Sequence, residues 1–242
     1  MTDAAAALAA VADDLVAANR ILAAHGVLDG FGHVSARDPR RADRFLLSRS
    51  LAPELVTRED LMTFDLDANP VDGDARRPYL ERHIHGAIYR ARPDVHAVVH
   101  SHAPSVIPFA ASSVALRPVY HMGSFLGAGA PVFEIRERFG ATDMLVREAP
   151  QGRALAESLG GAAVVLMRGH GFCAVGDSLP VVVYRAIYTE TNAAALQKAI
   201  ALGGTVTCLD AEEARRSDET NRSVVDRPWA LWKARVRGER GA

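Results

Sequence analysis

The segment from Ala97 to His102 constrains the fold more than any other part of the sequence. Its apolar start is typical of a strand buried in a sheet, and it ends in two histidines, His100 and His102. Side chains two residues apart on a strand project from the same face, so both imidazoles point the same way. The segment therefore predicts a buried strand that carries half of a metal site at its end.

A third histidine, His170, lies between two glycines after another apolar run, residues 162–167. This run predicts a second strand, which can bring His170 beside the first pair. Three neutral imidazoles with one open coordination position are typical of a catalytic divalent metal rather than a closed structural site. His100, His102 and His170 are the predicted ligands, and the sequence does not choose among zinc, manganese, cobalt and iron(II).

The composition describes an ordinary globular domain. The chain has 242 residues, of which 49% are hydrophobic and 24% charged. A formal net charge of -1 provides no basic field for nucleic acid or a membrane surface. The first twenty residues lack a basic leader, and no apolar stretch has spanning length. We therefore expect a cytoplasmic protein without nucleic-acid or membrane partners.

Helices and short strands alternate along the chain. The patterns predict helices over residues 3–25, 81–91, 104–111, 151–159 and 179–202. Strands are predicted after the glycine turn at residues 30–32 and over residues 45–48, 61–66, 95–102, 162–167 and 172–175. This order predicts a central sheet covered by helices on both faces, although the pattern leaves strand direction open.

The whole chain, residues 1–242, is interpreted as a single domain. Residues 205–242 are expected to form a peripheral C-terminal tail, in which Trp229 and Trp232 are available to dock on a neighbouring subunit. Residues 112–130 are rich in Gly, Pro and Ser, and predict a loop region suited to substrate contacts.

Four motifs in a fixed order resemble the class II aldolase/adducin family. They are Glu81 at the start of a helix, Arg92-Pro93-Asp94 before a strand, Val98 to His102, and Gly169-His170-Gly171. The resemblance implies a three-layer α/β/α sandwich around a mostly antiparallel sheet. It also implies a homotetramer with active sites at subunit interfaces, and a divalent metal held by the three histidines.

The resemblance makes Glu81 the acid/base residue. A carboxylate beside a metal can ligate it and, when substrate displaces the carboxylate, transfer a proton. Partial burial is expected to raise the pKa of Glu81 toward a useful value. Without the histidines, a solvated charge favoured by the helix dipole would be the simpler interpretation.

Departures from the family's sugar-phosphate aldolases argue against a phosphorylated substrate. Those enzymes carry G-N-x-S, T-P-S-G and paired serines where this chain has Gly32-His33-Val34-Ser35, Ser48-Arg49-Ser50-Leu51 and Tyr79-Leu80. Loss of the paired hydroxyls removes donors that a phosphate dianion requires. The phrases G-H-V-S and E-R-x-I-H-G-x-I-Y-R-A-R-P-D-V instead resemble the family's decarboxylases of hydroxylated aromatic or unsaturated dicarboxylates.

The remaining side chains suit a planar carboxylate, because cationic, imidazole and hydroxyl donors are accompanied by flat apolar groups such as Leu80 and Phe125. The predicted substrate-binding residues are His33, Ser35, Arg37, Ser48, Arg49, Tyr79, Arg117 and His121. His85 shares the helix face of Glu81 and is a candidate support for the site. His83 and His96 are expected to be structural or exposed.

The leading hypothesis is a divalent-metal-dependent carbon–carbon lyase that decarboxylates a hydroxylated pyridine, benzene or unsaturated dicarboxylate, as in the catabolism of aromatic compounds. The first alternative is an aldolase for a non-phosphorylated hydroxy-oxo acid, because both reactions leave electrons in an enolate-like system that a metal stabilises. Three histidines also suit an iron-dependent oxygenase. A non-catalytic binding module, as in adducin-like proteins, is disfavoured by the intact set of Glu81 and three histidines.

Overall fold

A seven-stranded sheet forms the centre of the computed structural model, which describes residues 3–71 and 73–238. The strands are β1 (His33–Arg37), β2 (Arg44–Ser48), β3 (Leu61–Asp65), β4 (Ala97–Ser101), β5 (Val132–Phe133), β6 (Val164–Met167) and β7 (Gly171–Gly176). Their order across the sheet is β3-β2-β1-β4-β7-β6-β5. Every neighbouring pair is antiparallel except β5 with β6, so the expected mostly antiparallel sheet is confirmed.

Helices precede, connect and follow these strands. They are α1 (Asp3–Ala24), α2 (Arg82–Ala91), α3 (Ile107–Ala110), α4 (Ile135–Phe139), α5 (Ala149–Leu159), α6 (Leu179–Ala201), α7 (Ala211–Ser223) and α8 (Asp226–Val236). Short 3-10 helices lie at Pro53–Leu55, Arg58–Asp60 and His121–Leu126. Within the described ranges, no helix is both long and apolar enough to cross a bilayer.

Alternating side chains of the sheet divide the core into two parts. In β4, Ala97 and Val99 belong to a cluster with residues of α1 and α6. Val98 lies between them in sequence but belongs to the opposite cluster, with residues of α2 and α5. This period of two is that of a strand buried on both faces. The three-layer α/β/α architecture is therefore confirmed.

The predicted elements differ from the observed ones in length, and the helices α4, α7 and α8 are not predicted. The helix expected over residues 104–111 is reduced to α3, because Pro108 is accommodated only in the first turn of a helix. The long helix α6 begins as predicted after Ser178, whose hydroxyl accepts a hydrogen bond from the Val181 N–H at 3.4 Å. The two-residue β5 was too short for any periodic pattern.

The C-terminal segment packs on the rest of the chain through α8. Trp229 and Trp232 are 7% and 5% exposed and belong to the core cluster that includes α1 and α6. Lys233 forms an ion pair with Asp14 of α1 at 2.5 Å. The two indoles, expected to be available to a neighbouring subunit, are instead buried within this chain, because α1 offers them an apolar face.

Trp229→Ala is expected to lower the free energy of unfolding by about 3–5 kcal/mol, because it removes a large buried ring. Leu231→Ala on the same helix is the matched control, since Leu231 is 50% exposed, and should cost less than about 1 kcal/mol. Equilibrium unfolding in guanidinium chloride measures the change in the free energy of unfolding for both variants. Equal losses for the two variants would contradict docking of α8 through Trp229.

Candidate metal centre

Four side chains converge beyond the end of β4. The Nε2 atom of His102 lies 3.0 Å from that of His100 and 2.9 Å from that of His170. Oε2 of Glu81 lies 3.4 Å from the Nε2 atoms of His100 and His170. One ligand atom from each of the four residues lies within 4.8 Å of the others. The folded chain thus brings together residues that are up to 89 positions apart in sequence, 170 minus 81.

The donor spacing fits a first-row divalent metal. Metal–nitrogen bonds of about 2.0–2.1 Å in a tetrahedron place the donor atoms about 3.3 Å apart. The four separations given above, 2.9 to 3.4 Å, agree with that value to a few tenths of an ångström. Three imidazoles and one carboxylate suit zinc, manganese, cobalt or iron(II). The cluster can therefore hold one such ion.

Hydrogen bonds to the backbone orient two of the imidazoles. Nδ1 of His170 lies 2.9 Å from the Met144 carbonyl oxygen, and Nδ1 of His100 lies 3.2 Å from that of Phe172. A carbonyl oxygen accepts only from a protonated nitrogen, so in the neutral, metal-binding form of both rings Nε2 is the unprotonated nitrogen and faces the cluster. Such bonds are typical of metal-binding histidines.

Two glycines allow the strands that carry the cluster to approach. A Cβ at Gly171 would lie 2.0 Å from the Ser101 carbonyl oxygen, at the point where β7 passes β4. Gly32 has a φ of +81°, and a Cβ there would lie 2.9 Å from the His100 carbonyl oxygen. Only glycine fits both places without displacing the backbone. Steric exclusion of a Cβ therefore explains why the Gly-His-Gly motif and the glycine turn have glycine at these two positions.

The loop around Met144 holds two members of the cluster at once. The Met144 carbonyl accepts from His170, and the Val146 N–H donates to Oε1 of Glu81 at 2.9 Å. Met144 has a φ of +71°, a left-handed conformation that costs a non-glycine residue about 1–2 kcal/mol. Strain of this kind is characteristic of functional sites. No sequence pattern marked this loop.

The cluster keeps its carboxylate ionised. Burial raises the pKa of Glu81, but the adjacent imidazoles of His100 and His170 outweigh burial and hold that pKa well below its usual range. The expected rise is therefore wrong. Burial, assisted by the neighbouring histidines, lowers the pKa of His102 to about 4. Burial also acts to lower the pKa of His170, but interaction with Glu81 raises it overall.

A cavity of about 450 Å³ opens beside the cluster, within the size range of small-molecule sites. It is lined by Gly30, Phe31, Gly32, His33, Ser50, Leu51, Ala52, Arg77, Tyr79, Leu80, Glu81, His102 and Leu145. Of the predicted substrate-binding residues, His33 and Tyr79 are in this lining. Ser48 is buried behind it, with Oγ 3.3 Å from the Tyr79 hydroxyl, which also donates to the Leu51 carbonyl.

Arg37 and Arg49 are occupied elsewhere, so their assignment to substrate is corrected. The Arg37 guanidinium is buried at the far end of β1 and donates to four backbone carbonyl oxygens, those of Ala42, Tyr89, Arg92 and Val95. Arg49 pairs with Asp60 at 2.7 Å and does not line the cavity. Both arginines complete the fold around β1 and β2 rather than offering a free cation.

Three further predicted residues do not reach this chain's cavity. Ser35 is fully buried and bonds to side chains of α2. Arg117 and His121 are exposed on the region between α3 and β5, outside the cavity lining. Phe125, expected to offer a flat contact, instead packs against Tyr184 with ring centroids 6.1 Å apart.

Arg77 and Phe31 line the cavity and were missed by sequence reasoning. Arg77 is exposed, and among the described residues its guanidinium has no hydrogen-bond partner. Phe31 is 71% exposed at the cavity mouth. Their nearness in sequence to Glu81 and to the glycine turn was the available signal, but adjacency alone does not show which way a loop side chain points.

The fold brings together a cluster of one glutamate and three histidines that could bind a metal ion, and comparison with known proteins names the family. Residues 13–197 match the model of the Class II Aldolase and Adducin N-terminal domain. The chain belongs to this family, which confirms the resemblance. The family depends on a divalent metal, in agreement with the donor set.

Individual relatives agree with this assignment. The chain is 41% identical to "Decarboxylase tropJ" of Talaromyces stipitatus, over 89% of this chain and 90% of the relative. It is 29% identical to the "3,4-dihydroxyphthalate decarboxylase" of Arthrobacter keyseri, over 90% of each chain. The fold is similar to that of the L-fuculose 1-phosphate aldolase from Glaciozyma antarctica PI12, with a TM-score of 0.81, 23% identity and coverage of 99% and 94% of the two chains. Decarboxylases and aldolases are lyases, and the chain is a lyase.

Protein purified without chelator is expected to carry about one divalent metal ion per chain, as three imidazoles imply. His100→Ala should abolish that content, because it removes one of the three imidazole ligands. His96→Ala changes an exposed histidine just before the same strand and should leave the content intact. Elemental analysis measures the ratio. Metal retained by the His100 variant would contradict the assigned cluster.

Proposed function

We propose that the chain is a divalent-metal-dependent decarboxylase of a hydroxylated aromatic or unsaturated dicarboxylate. The observation that carries this proposal is the composition of the cavity beside the cluster. Its wall is largely apolar, with Phe31, Tyr79 and Leu80, and it contains the guanidinium of Arg77, which has no hydrogen-bond partner among the residues that the structure describes. A flat ring fits between such side chains, and an arginine binds a carboxylate through two parallel hydrogen bonds.

The same cavity disfavours a sugar phosphate. A phosphate dianion needs several converging donors, whereas Tyr79 and Leu80 stand where the family's sugar-phosphate aldolases have serines. The Tyr79 hydroxyl also donates to the Leu51 carbonyl and is not free for an anion. The relatives whose printed names state a decarboxylase activity support this choice, among them the enzyme named for 3,4-dihydroxyphthalate.

When bound, the metal supplies positive charge that stabilises an anionic substrate oxygen. Glu81 is held through Oε1 by the Val146 N–H, and its Oε2 faces the histidines. As an ionised carboxylate, Glu81 accepts the proton of the substrate hydroxyl and then returns it to the ring carbon that carries the departing carboxylate. The bond between the ring carbon and the carboxylate carbon breaks, carbon dioxide leaves, and the electron pair of that bond remains with the ring. Water restores the hydroxyl proton.

The ion in this proposal is zinc, manganese or cobalt, with iron(II) as a further candidate. The assembly is a homotetramer in the cytoplasm, with sites at subunit interfaces. The exposed ring of Phe31 and the 45% exposed Leu80 at the cavity mouth support an interface there. In such an assembly, Arg117 and His121, which are exposed and remote from this chain's cavity, are available to a neighbour's site.

An aldolase for a non-phosphorylated hydroxy-oxo acid is the second candidate, favoured by the fold shared with an L-fuculose 1-phosphate aldolase. Product analysis distinguishes the two, because decarboxylation yields carbon dioxide and aldol cleavage yields two carbonyl fragments. Iron with oxygen uptake would indicate an oxygenase. Metal binding without turnover of any of these substrates would favour a binding module.

Glu81→Gln is expected to lower the rate of carbon dioxide release from 3,4-dihydroxyphthalate or hydroxypyridine dicarboxylates by at least about a hundredfold, the usual contribution of a proton-transfer group. Metal content should remain, because the three histidines are unchanged. Glu137→Gln, which alters an exposed carboxylate on α4, is the control. Full activity of the Glu81 variant would overturn the assigned role.

Arg77→Gln is expected to raise KM about tenfold or more and to change kcat much less, because a charge-assisted hydrogen bond to the carboxylate is lost in ground and transition states alike. Arg136→Gln, an exposed arginine on α4, serves as control. Steady-state kinetics with the substrates above give both constants. An unchanged KM would exclude Arg77 from carboxylate binding.

A further inference from the structure

A chain of hydrogen bonds runs from the cavity wall into the space between β1 and α2. Nδ1 of His33 lies 2.6 Å from Nε2 of His85, and Nδ1 of His85 lies 2.6 Å from Oγ of Ser35. The same Oγ lies 2.8 Å from the hydroxyl oxygen of Tyr89. All four side chains are at most 3% exposed, and His33 alone among them lines the cavity.

Matching repeats place these groups opposite one another. His33 and Ser35 are two residues apart on β1, a rise of about 6.6 Å, and project from one face. His85 and Tyr89 are four residues apart on α2, a rise of about 6 Å, and lie on one stripe of the helix. Two side chains of each element therefore meet at nearly the same spacing. The contacts follow from the register of β1 against α2 and need no special backbone.

Burial keeps all four groups neutral. It lowers the pKa of His85 to about 3, and His33 is equally enclosed, 3% exposed and in contact with the rings of His85, Tyr79 and His100. Burial also raises the pKa of the Tyr89 hydroxyl above its usual range. Each imidazole therefore carries one N–H, and each of the three contacts contains one hydrogen. Only two proton arrangements satisfy all three contacts, and they run in opposite directions.

The Tyr89 end selects between the two directions. Among the described residues, two groups hydrogen-bond to the Tyr89 hydroxyl: Oγ of Ser35, which can accept, and the backbone of Val98, which lowers the pKa of Tyr89 as an N–H donor does. If Ser35 donated to Tyr89, the Tyr89 proton would be buried without an acceptor, which is unfavourable. Tyr89 therefore donates to Ser35, and Ser35 donates to Nδ1 of His85. His85 then donates from Nε2 to Nδ1 of His33.

This direction leaves the proton of His33 on Nε2. That nitrogen has no partner among the described residues and is not among the buried unpaired atoms, so it is open to the cavity. The His33 ring lies 5.1 Å from the His100 ring and 4.6 Å from the Tyr79 ring, measured between centroids. The N–H is thus located between the candidate metal ligands and the apolar wall.

We propose that His33 donates a hydrogen bond from Nε2 to a carboxylate oxygen of the substrate, and that His85, Ser35 and Tyr89 are positioning residues that fix this tautomer. The carboxylate in this statement rests on the proposed function. A neutral donor suits this place, because a protonated imidazole would be repelled by a divalent cation held by the neighbouring His100. The buried partners supply the directionality that a solvated histidine lacks.

Nitrogen NMR of the zinc-loaded protein, labelled with ¹⁵N-histidine, tests the tautomer directly. His33→Gln identifies the His33 signals. We expect a protonated Nε2 and an unprotonated Nδ1 for His33, and loss of this single pattern in Ser35→Ala, which interrupts the chain. A protonated Nδ1 in the unaltered protein, or an unchanged pattern in Ser35→Ala, would overturn the inference.

Binding of phthalate, an aromatic dicarboxylate, to the zinc-loaded protein provides a second test without turnover. Glutamine can place its amide nitrogen near the position of Nε2, whereas asparagine matches Nδ1. His33→Gln should therefore bind within a few-fold of the unaltered protein, and His33→Asn about tenfold more weakly, as for loss of one hydrogen bond to an anion. Equal affinities for the two variants would contradict a donor at Nε2.

A double-mutant cycle separates positioning from general stability. Ser35→Ala should weaken phthalate binding about tenfold alone and add little in the His33→Asn background, because both act through one hydrogen bond. Tyr184→Phe removes another buried hydroxyl, which donates to the Met122 carbonyl at 3.0 Å, and should leave affinity unchanged. Additive losses would show that Ser35 acts through the fold alone. Absence of carbon dioxide release would overturn only the proposed function, because these measurements need no catalysis.

Discussion

The pairing of β4 with β1 on one side and β7 on the other is the constraint on which the site depends. In this register His33 lies opposite His100, and His100 lies opposite Cys173. A slip of one residue would move every side chain of β4 to the other face and place Val99 or Ser101 where the site requires His100. The close passage of Gly171 over the Ser101 carbonyl fixes the same register from the β7 side.

One stripe of α2 connects the parts of the site. Glu81 at its N-terminal end faces the histidines, and His85 and Tyr89, one and two turns later, bond to β1. The helix therefore has to be helical and correctly rotated for the carboxylate and the buried chain to form together. The Met144 loop completes this arrangement by binding Glu81 and His170 from the opposite side. Its left-handed residue is maintained because two members of the cluster depend on it.

Prediction from sequence succeeded where a local pattern had one physical solution and failed where partners were distant. Apolar runs located most strands, and helical periodicity located α1, α2 and α6. Arg37 is an instructive error, because an arginine next to a ligand-binding turn suits an anion. In the structure, however, it donates to four carbonyl oxygens contributed by the β1–β2 turn, α2 and the segment before β4. Arg77 is the opposite error: it lines the cavity but was not predicted, because no local sequence pattern distinguishes a free guanidinium from a paired one.

The sequence by itself determined the layered fold and the donor set, because strand and helix periods, glycine positions and the H-x-H spacing are local properties of the chain. It also identified Glu81, through the order of motifs. Tertiary structure alone decided that these donor atoms meet, with four of their separations between 2.9 and 3.4 Å. It also decided that the pKa of Glu81 is lowered rather than raised. Likewise, it decided that Ser35 bonds to side chains of α2 instead of facing the cavity. These properties depend on distances between residues far apart in sequence, which only the folded sheet and its register define.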